Sequence, residues 1–297
     1  MSSALIFGEL LFDQFDSGET VLGGAPMNVA WHLQGLGLQP TLVTRVGRDA
    51  LGERARESLR LAGIDAAAIQ LDDKFPTGTV RVKLKQGSPS FEIVQDVAYD
   101  HIQIPSDATM TRPYKLLYHG SLALRSATSR DTLAHIRNLI GCPVFVDVNL
   151  RPPFWEKTFI QQLIRQADWV KLNHEELALL SEHPVTQNRQ ALIALARTLR
   201  DENRLKALIV TCGAEGAFIL SESEVVDMPP VAPVTIVDTV GAGDGFSAIV
   251  IAGLLQGWKY PRILAQASQF AAKICAIRGA IPASNDFYAE LRMPNQT

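Results

Sequence analysis

Asp238-Thr-Val-Gly-Ala-Gly-Asp-Gly-Phe246 decides how this chain is read. Gly241, Gly243 and Gly245 alternate with other residues at the head of an apolar run, 246–255. That run is apolar on every side, which predicts a buried helix rather than a surface one. Each glycine inside a helix costs about 0.8–1.0 kcal/mol relative to alanine, so three in the first turns cost roughly 2–3 kcal/mol. Glycine is called for where something must approach the backbone closely. At a helix N-terminus that something is most often an anion, held by free N–H groups and the helix dipole. Asp244 follows directly. A carboxylate beside an anion site is electrostatically unfavourable unless it does chemistry, such as accepting a proton.

Outward from this stretch, the chain has the size of one large or two small domains, 297 residues with 47% hydrophobic content. A formal charge of −3 provides no basic field for nucleic acid. No apolar run reaches membrane-spanning length, and the N-terminal stretch lacks the charged n-region of a signal peptide. Cys142, Cys212 and Cys275 stand far apart without ligand spacing, which suits a reduced, cytoplasmic compartment and argues against zinc.

Strand and helix patterns alternate from about residue 116: strands at 116–119, 144–148, 169–172 and 208–211, helices at 130–139, 159–167, 175–180 and 189–199. Near-continuous apolar strands separated by helices predict a parallel sheet covered on both faces. Strands at 5–7 and 41–46 and a helix at 26–36 fit the same plan. Residues 79–85 alternate at period 2, 86–89 form a turn and 91–94 return, which is a half-exposed hairpin. Residues 10–15 and 19–22 make a second, short one. The expectation is a single α/β domain over 1–297 with hairpins inserted at about 10–22 and 77–100.

Four further groups could carry chemistry. Gly23-Gly24-Ala25-Pro26-Met27-Asn28 opens an apolar helix, with Pro26 suited to its first turn. The glycine pair alone reads as a tight turn; Asn28, polar in an apolar helix, adds a group that could hydrogen-bond a ligand against the bare backbone. Asp147, Asn149 and Arg151 share one face of a strand end if the strand continues at period 2, where open α/β sheets bind ligands. They suit recognition of hydroxyls, or Asp147 and Arg151 form a structural ion pair; both readings stay open. Asn173 and Glu176 have the spacing of a capping box; Glu176 could also reach a magnesium-bound water. Thr211, Gly213 and Gly216 end another strand, an ordinary glycine turn that also suits nucleotide contact. Histidines do not cluster, and there is no Walker loop, no Gly-x-Ser-x-Gly elbow and no early dinucleotide fingerprint.

Gly23–Asn28 together with Asp238–Asp244 resembles the PfkB, or ribokinase-like, carbohydrate kinases, over nearly the whole chain. Val46-Gly-Arg-Asp49-Ala-Leu-Gly52 is similar to the family's early loop, and Asn173-x-x-Glu176 to its magnesium-associated motif. Gly8–Asp13, 22–33 and 147–151 look most like fructokinases. The resemblance implies a ribokinase-like three-layer α/β sandwich with a mostly parallel central sheet and a small β lid. It makes Asp244 the general base and Gly241, Ala242 and Gly243 an anion hole for the transferred phosphoryl. It gives Asp13, Gly23, Gly24 and Asn28 to the sugar, with Asn149 and Arg151. It sets Asn173, Thr211, Gly213 and Gly216 along ATP, with Asn173 and Glu176 organising Mg²⁺. A K⁺ ion near Asp238 and 277–280, and a homodimer through the lid, are further features of many relatives. Gly245 stands where Ala or Thr is frequent in the family.

The expected function is therefore ATP-dependent phosphorylation of a small sugar, foremost fructose to fructose 6-phosphate. Rival acceptors are 2-keto-3-deoxygluconate, whose carboxylate would need Arg81, Arg125 or Arg151, then ribose, and nucleosides, for which Phe91 and Tyr99 are the only stacking groups. A non-catalytic sugar- or nucleotide-sensing protein would be favoured by loss of the base, but Asp244 is present. An oxidoreductase lacks its fingerprint. Neither nucleic acid nor a membrane is an expected partner.

Overall fold

The computed structural model describes residues 3–85, 88–231 and 235–291. Half of the turn expected at 86–89 therefore lies outside the described residues, namely 86 and 87, as do the first two residues of the chain.

Strand β1 (Ser3–Phe7) turns alternate residues to the sheet's two faces: Ala4 and Ile6 join one buried cluster, Leu5 and Phe7 the other. The chain continues through β2 (Leu11–Phe15), β3 (Thr20–Gly23), α1 (Ala25–Gly35), β4 (Thr41–Gly47), α2 (Ala50–Leu61), β5 (Ile69–Asp72), β6 (Gly78–Lys85) and β7 (Ser88–Ile93). Then come α3 (Asp107–Met110), β8 (Tyr114–His119), α4 (Ala127–Ile140), β9 (Val144–Asp147), α5 (Lys157–Arg165), β10 (Trp169–Asn173) and α6 (His174–Leu180). The last elements are α7 (Arg189–Asn203), β11 (Ala207–Thr211), β12 (Ala217–Ser221), β13 (Val225–Met228), α8 (Ala242–Leu255) and α9 (Tyr260–Cys275).

The large sheet has the order β13-β12-β11-β10-β9-β8-β1-β4-β5. Its pairings from β11 to β5 are parallel, and β12 and β13 add an antiparallel edge. Helices α1, α2, α8 and α9 bury one face, and α4 to α7 bury the other. Between β1 and β8 the chain changes its direction of travel across the sheet, so the carboxyl ends of these strands open a crevice where doubly wound sheets bind ligands. The mostly parallel, three-layer expectation holds.

Both hairpins form, and they join into a second sheet, β3-β2-β6-β7, through a parallel pairing of β2 with β6. Asp49 ties that sheet to the body. Its carboxylate caps α2 by accepting from the Gly52 amide, and accepts both the amide (2.8 Å) and the hydroxyl (2.7 Å) of Thr77, the residue before β6. The Val46–Gly52 motif thus has a structural function: it fixes where the small sheet leaves the domain.

One local expectation fails. Strand β9 stops at Asp147, and Asn149 takes a left-handed backbone (φ 40°), so Asp147, Asn149 and Arg151 do not share a strand face. Glu176, 26 residues on, explains the departure: it draws the Leu150 amide out of sheet pairing at 2.7 Å.

Candidate active site

Helix α8 begins as the glycines predict. Gly241 is its N-cap in the left-handed region (φ 78°), and a Cβ there would overlap Ala280. Gly241 is thus required by conformation and by space. The amides of Gly241 and Gly243 have no acceptor among the described residues, whereas that of Ala242 points to the Thr239 carbonyl at 3.3 Å. Gly243 is exposed. The anion cradle therefore consists chiefly of two open glycine amides at the positive end of a 14-residue helix. Asp238 holds the approach: its carboxylate accepts from Val240 and Gly279, and Val237 and Asp238 both donate to Cys275.

Asp244 lies in the first turn of α8, and Asn28 in the first turn of α1 donates its Nδ2 to Asp244 Oδ2 at 2.7 Å. The two motifs, 216 residues apart, thus make one site. Gly24 permits the approach, since a Cβ there would stand 2.6 Å from the Glu9 carbonyl. Burial pushes the Asp244 carboxyl up to about 6; the Asn28 hydrogen bond, Lys171 and Arg151 pull against it, while Asp147 adds to it.

Asp13 reaches in from β2, with the bare Gly23 backbone beside its Oδ2. Burial raises it to about 6, opposed by Arg151. Neither Asp13 nor Arg151 has a hydrogen-bond or ion-pair partner among the described residues, so they face one another across the cleft without contact. Glu9, which the motif reading passed over, is 3% exposed and pushed up to about 7 by burial, with Arg151 lowering it and Asp244 raising it. Glu9 Oε2 and Asn28 Oδ1 are buried acceptors without a donor. Such groups call for a ligand rich in hydroxyls. Asn149 presents its carbonyl toward the Ser121 hydroxyl at 3.4 Å.

Asp147 does not pair with Arg151. It is buried and takes Lys171 instead, at 3.0 and 2.8 Å, with the Ser247 hydroxyl at 2.7 Å. Lys171 was legible as a lone charge within the apolar strand 169–172, a signal of a buried functional or paired group.

Asn173 and Glu176 form the expected capping box, each accepting the other's amide at 2.8 Å. The second oxygen of Glu176 accepts from Leu150. Since both oxygens are engaged, the pair fits a metal through bridging water and not by direct ligation. Thr211 stands beside Asn173 in the β10–β11 register, at the same sheet edge. Gly213 and Gly216 both take positive φ in the turn that follows, and a Cβ on Gly216 would overlap the Met228 carbonyl. Thr211, Asn173 and the glycine turn thus sit on one edge, separate from the Asp13, Gly23, Gly24 and Asn28 group, with the α8 N-terminus carrying Asp244 at Asn28.

A family model described as pfkB family carbohydrate kinase matches residues 6–286. A Pyrococcus horikoshii protein named "putative sugar kinase" is 33% identical over 268 residues, covering 84% of this chain and 81% of its own. Its ATP complex superposes with a TM-score of 0.79 at 30% identity, covering 94% and 93%. A fructokinase of Escherichia coli is 34% identical over 245 residues, 79% of this chain and 76% of its own. A double-mutant fructokinase of Vibrio cholerae, bound to fructose, ADP and potassium, shares the fold at a TM-score of 0.81 and 23% identity, covering 98% of each chain.

Asp244 ionises in this site against its burial. Its folded value of about 6 lies above the ordinary 3.8, so its contribution to stability is present below about pH 4 and is lost as pH rises through 6. Asp244→Asn keeps an oxygen for Asn28 and removes that cost. At pH 8 it is expected to stabilise the fold by about 1–3 kcal/mol, read as a higher urea midpoint, with the gain gone at pH 4. An unchanged midpoint at pH 8 would remove burial as the cause.

Proposed function

The chain belongs to the pfkB family of carbohydrate kinases, and from that premise we propose that it transfers the γ-phosphoryl of ATP to a hydroxyl of a neutral sugar, foremost fructose, giving fructose 6-phosphate. The observation that carries the reading is the 2.7 Å bond from Asn28 to Asp244. It sets a carboxylate able to accept a proton beside an acceptor-lined pocket on one side and open helix amides on the other.

In this reading Asp13, Gly23, Gly24 and Asn28 orient the sugar, with Asn149 and Arg151 at its rim. Asp244 takes the hydroxyl proton as the oxygen bonds to phosphorus. The Gly241 and Gly243 amides, with Ala242 between them, hold the phosphoryl oxygens at the helix N-terminus. Thr211, Asn173, Gly213 and Gly216 lie along ATP. Magnesium, held through water by Glu176 and Asn173, would neutralise phosphate charge. The small sheet is the lid whose closure excludes water.

Charge favours a neutral acceptor. Of the three arginines that could serve a sugar acid, Arg81 is paired with Glu92 on the surface, and Arg125 is paired with Asp100 in the interior. Arg151 acts on all three of Glu9, Asp13 and Asp244 and has no ion-pair partner among the described residues. A nucleoside finds no platform in Tyr99, which is fully buried. The relatives named fructokinase support fructose among neutral sugars. The three distant cysteines are consistent with a cytoplasmic setting, which we retain as a proposal.

Coupled ADP release over a panel of neutral sugars and sugar acids, with and without Mg²⁺, tests the reading; release is expected with fructose and Mg²⁺. No ADP with any sugar would point to a sensing protein, and a product mass without added phosphate would remove the kinase claim. Asp244→Ala is expected to bind ATP normally and to lose at least a thousandfold in kcat. In the parent, kcat should fall about tenfold per pH unit below about pH 6, because the base must be ionised. If Asp244→Ala kept a tenth of the parent rate, Asp244 would not be the base.

Two features of relatives extend the proposal. Asp238 and the 277–280 segment lie together, as a K⁺ site would need; the rate should grow when K⁺ is added to a K⁺-free assay, and a flat response sinks this. Phe15 and Phe91 are exposed on the lid sheet, which suits a homodimer through it; sedimentation should give twice 32.5 kDa, and a monomer at micromolar concentration sinks that.

A further inference from the structure

Lys171 stands mid-strand in β10 between Val170 and Leu172, with its side chain 8% exposed, and its partner Asp147 is 2% exposed. Stability alone does not call for such a pair, because a well-packed apolar pair of the same volume is often as good or better. The pair's position is informative instead. Two of the three ammonium protons go to Asp147, and no described residue accepts the third. Nζ lies 3.5 Å from where a Cβ on Gly243 would be. Ser247, one turn into α8, holds Asp147 at 2.7 Å and reaches the Gly243 carbonyl at 3.0 Å. Tyr118 approaches the same Asp147 oxygen at 3.5 Å. Asp147 is therefore fixed from both β8 and α8, and it holds a cation against the first turn of α8 at Gly243.

We infer that Lys171, held by Asp147 and Ser247, supplies a fixed positive charge to the phosphoryl group during transfer at the α8 N-terminus. The inference rests on the phosphoryl-transfer reading of this site. In that step the bond from the γ-phosphorus to ADP breaks, the bond to the sugar oxygen forms, and the hydroxyl proton goes to Asp244. Lys171 keeps all its protons and faces the negative charge spread over the transferred oxygens. It answers a need the chain otherwise leaves open, since there is no Walker lysine. Gly243 is then glycine for a second reason: any longer side chain would cover Nζ.

The test separates charge supply from structural pairing. Lys171→Met alone leaves Asp147 ionised and unpaired in the core, which is strongly destabilising. The double variant Lys171→Met/Asp147→Asn removes both charges together. It is expected to keep a urea midpoint near the parent's and to bind fructose, measured by calorimetry without ATP, within about threefold, while kcat stays down about a hundredfold, the usual loss for one anion-hole group. Recovery of kcat to within threefold of the parent would make the pair structural and overturn the inference. Should the double variant not fold, Lys171→Arg is compared with Lys171→Gln, which can still donate to Asp147. The charged variant must be at least tenfold faster, and equal rates overturn the inference. A parent that phosphorylates no sugar sinks the kinase reading, and this inference with it. An active parent with an equally active double variant sinks the inference alone.

Discussion

A half-buried carboxylate at the positive end of a helix is the constraint on which this structure depends. Asp244 needs α8 to start where it does, and α8 can start there only because Gly241 adopts a left-handed backbone against Ala280. The bond from Asn28 to Asp244 then fixes α1 against α8 at their first turns, so the N-terminal and C-terminal halves of the chain meet at one point. The central sheet serves that meeting. Its direction change between β1 and β8 opens the crevice into which both helix ends project.

The same constraint explains the electrostatics around it. Glu9, Asp13 and Asp244 share one pocket, and burial pushes each of them upward. The Asp244 charge raises Glu9 further, and Arg151 offsets all three from the rim. On the far side of Asp244 the Asp147–Lys171 pair acts on it in opposite senses, Asp147 raising and Lys171 lowering its affinity for a proton. The Asp244 carboxylate is thereby held between two opposed influences, and the Asn28 hydrogen bond works with Lys171 against its burial. Other ionic groups of similar appearance do no such work: Arg125 and Asp100 form a closed buried pair.

The fold was legible because its signals are long. Apolar strands alternating with helices fix a parallel sheet wherever they occur, and the two period-2 hairpins stand out against that background. The site was legible where glycine marks a close approach, at 23–24 and 241–243. What escaped the sequence was side-chain pairing over distance. Nothing local shows that Asp147 chooses Lys171 over Arg151, because that depends on adjacent strands and on a serine a hundred residues on. Nor could periodicity foresee that Glu176 would capture the Leu150 amide and end β9 early. Asp49 lies in a motif that resembles the family's, and its task is visible only in the fold, where it pins β6 through Thr77.

That pinning bears on how the pocket can work. The small sheet is tied to the body at Thr77 by three bonds to or from one threonine's backbone and hydroxyl, and it carries Asp13 on β2, paired in parallel with β6. Its root is therefore rigid, and motion of the sheet as a unit about that root would move Asp13 relative to Arg151. Neither has a hydrogen-bond or ion-pair partner among the described residues, and Arg151 acts on Asp13 through its charge alone. In the proposed reading, the hydroxyls of a polyol would supply the donors that the orphaned oxygens of Glu9 and Asn28 lack.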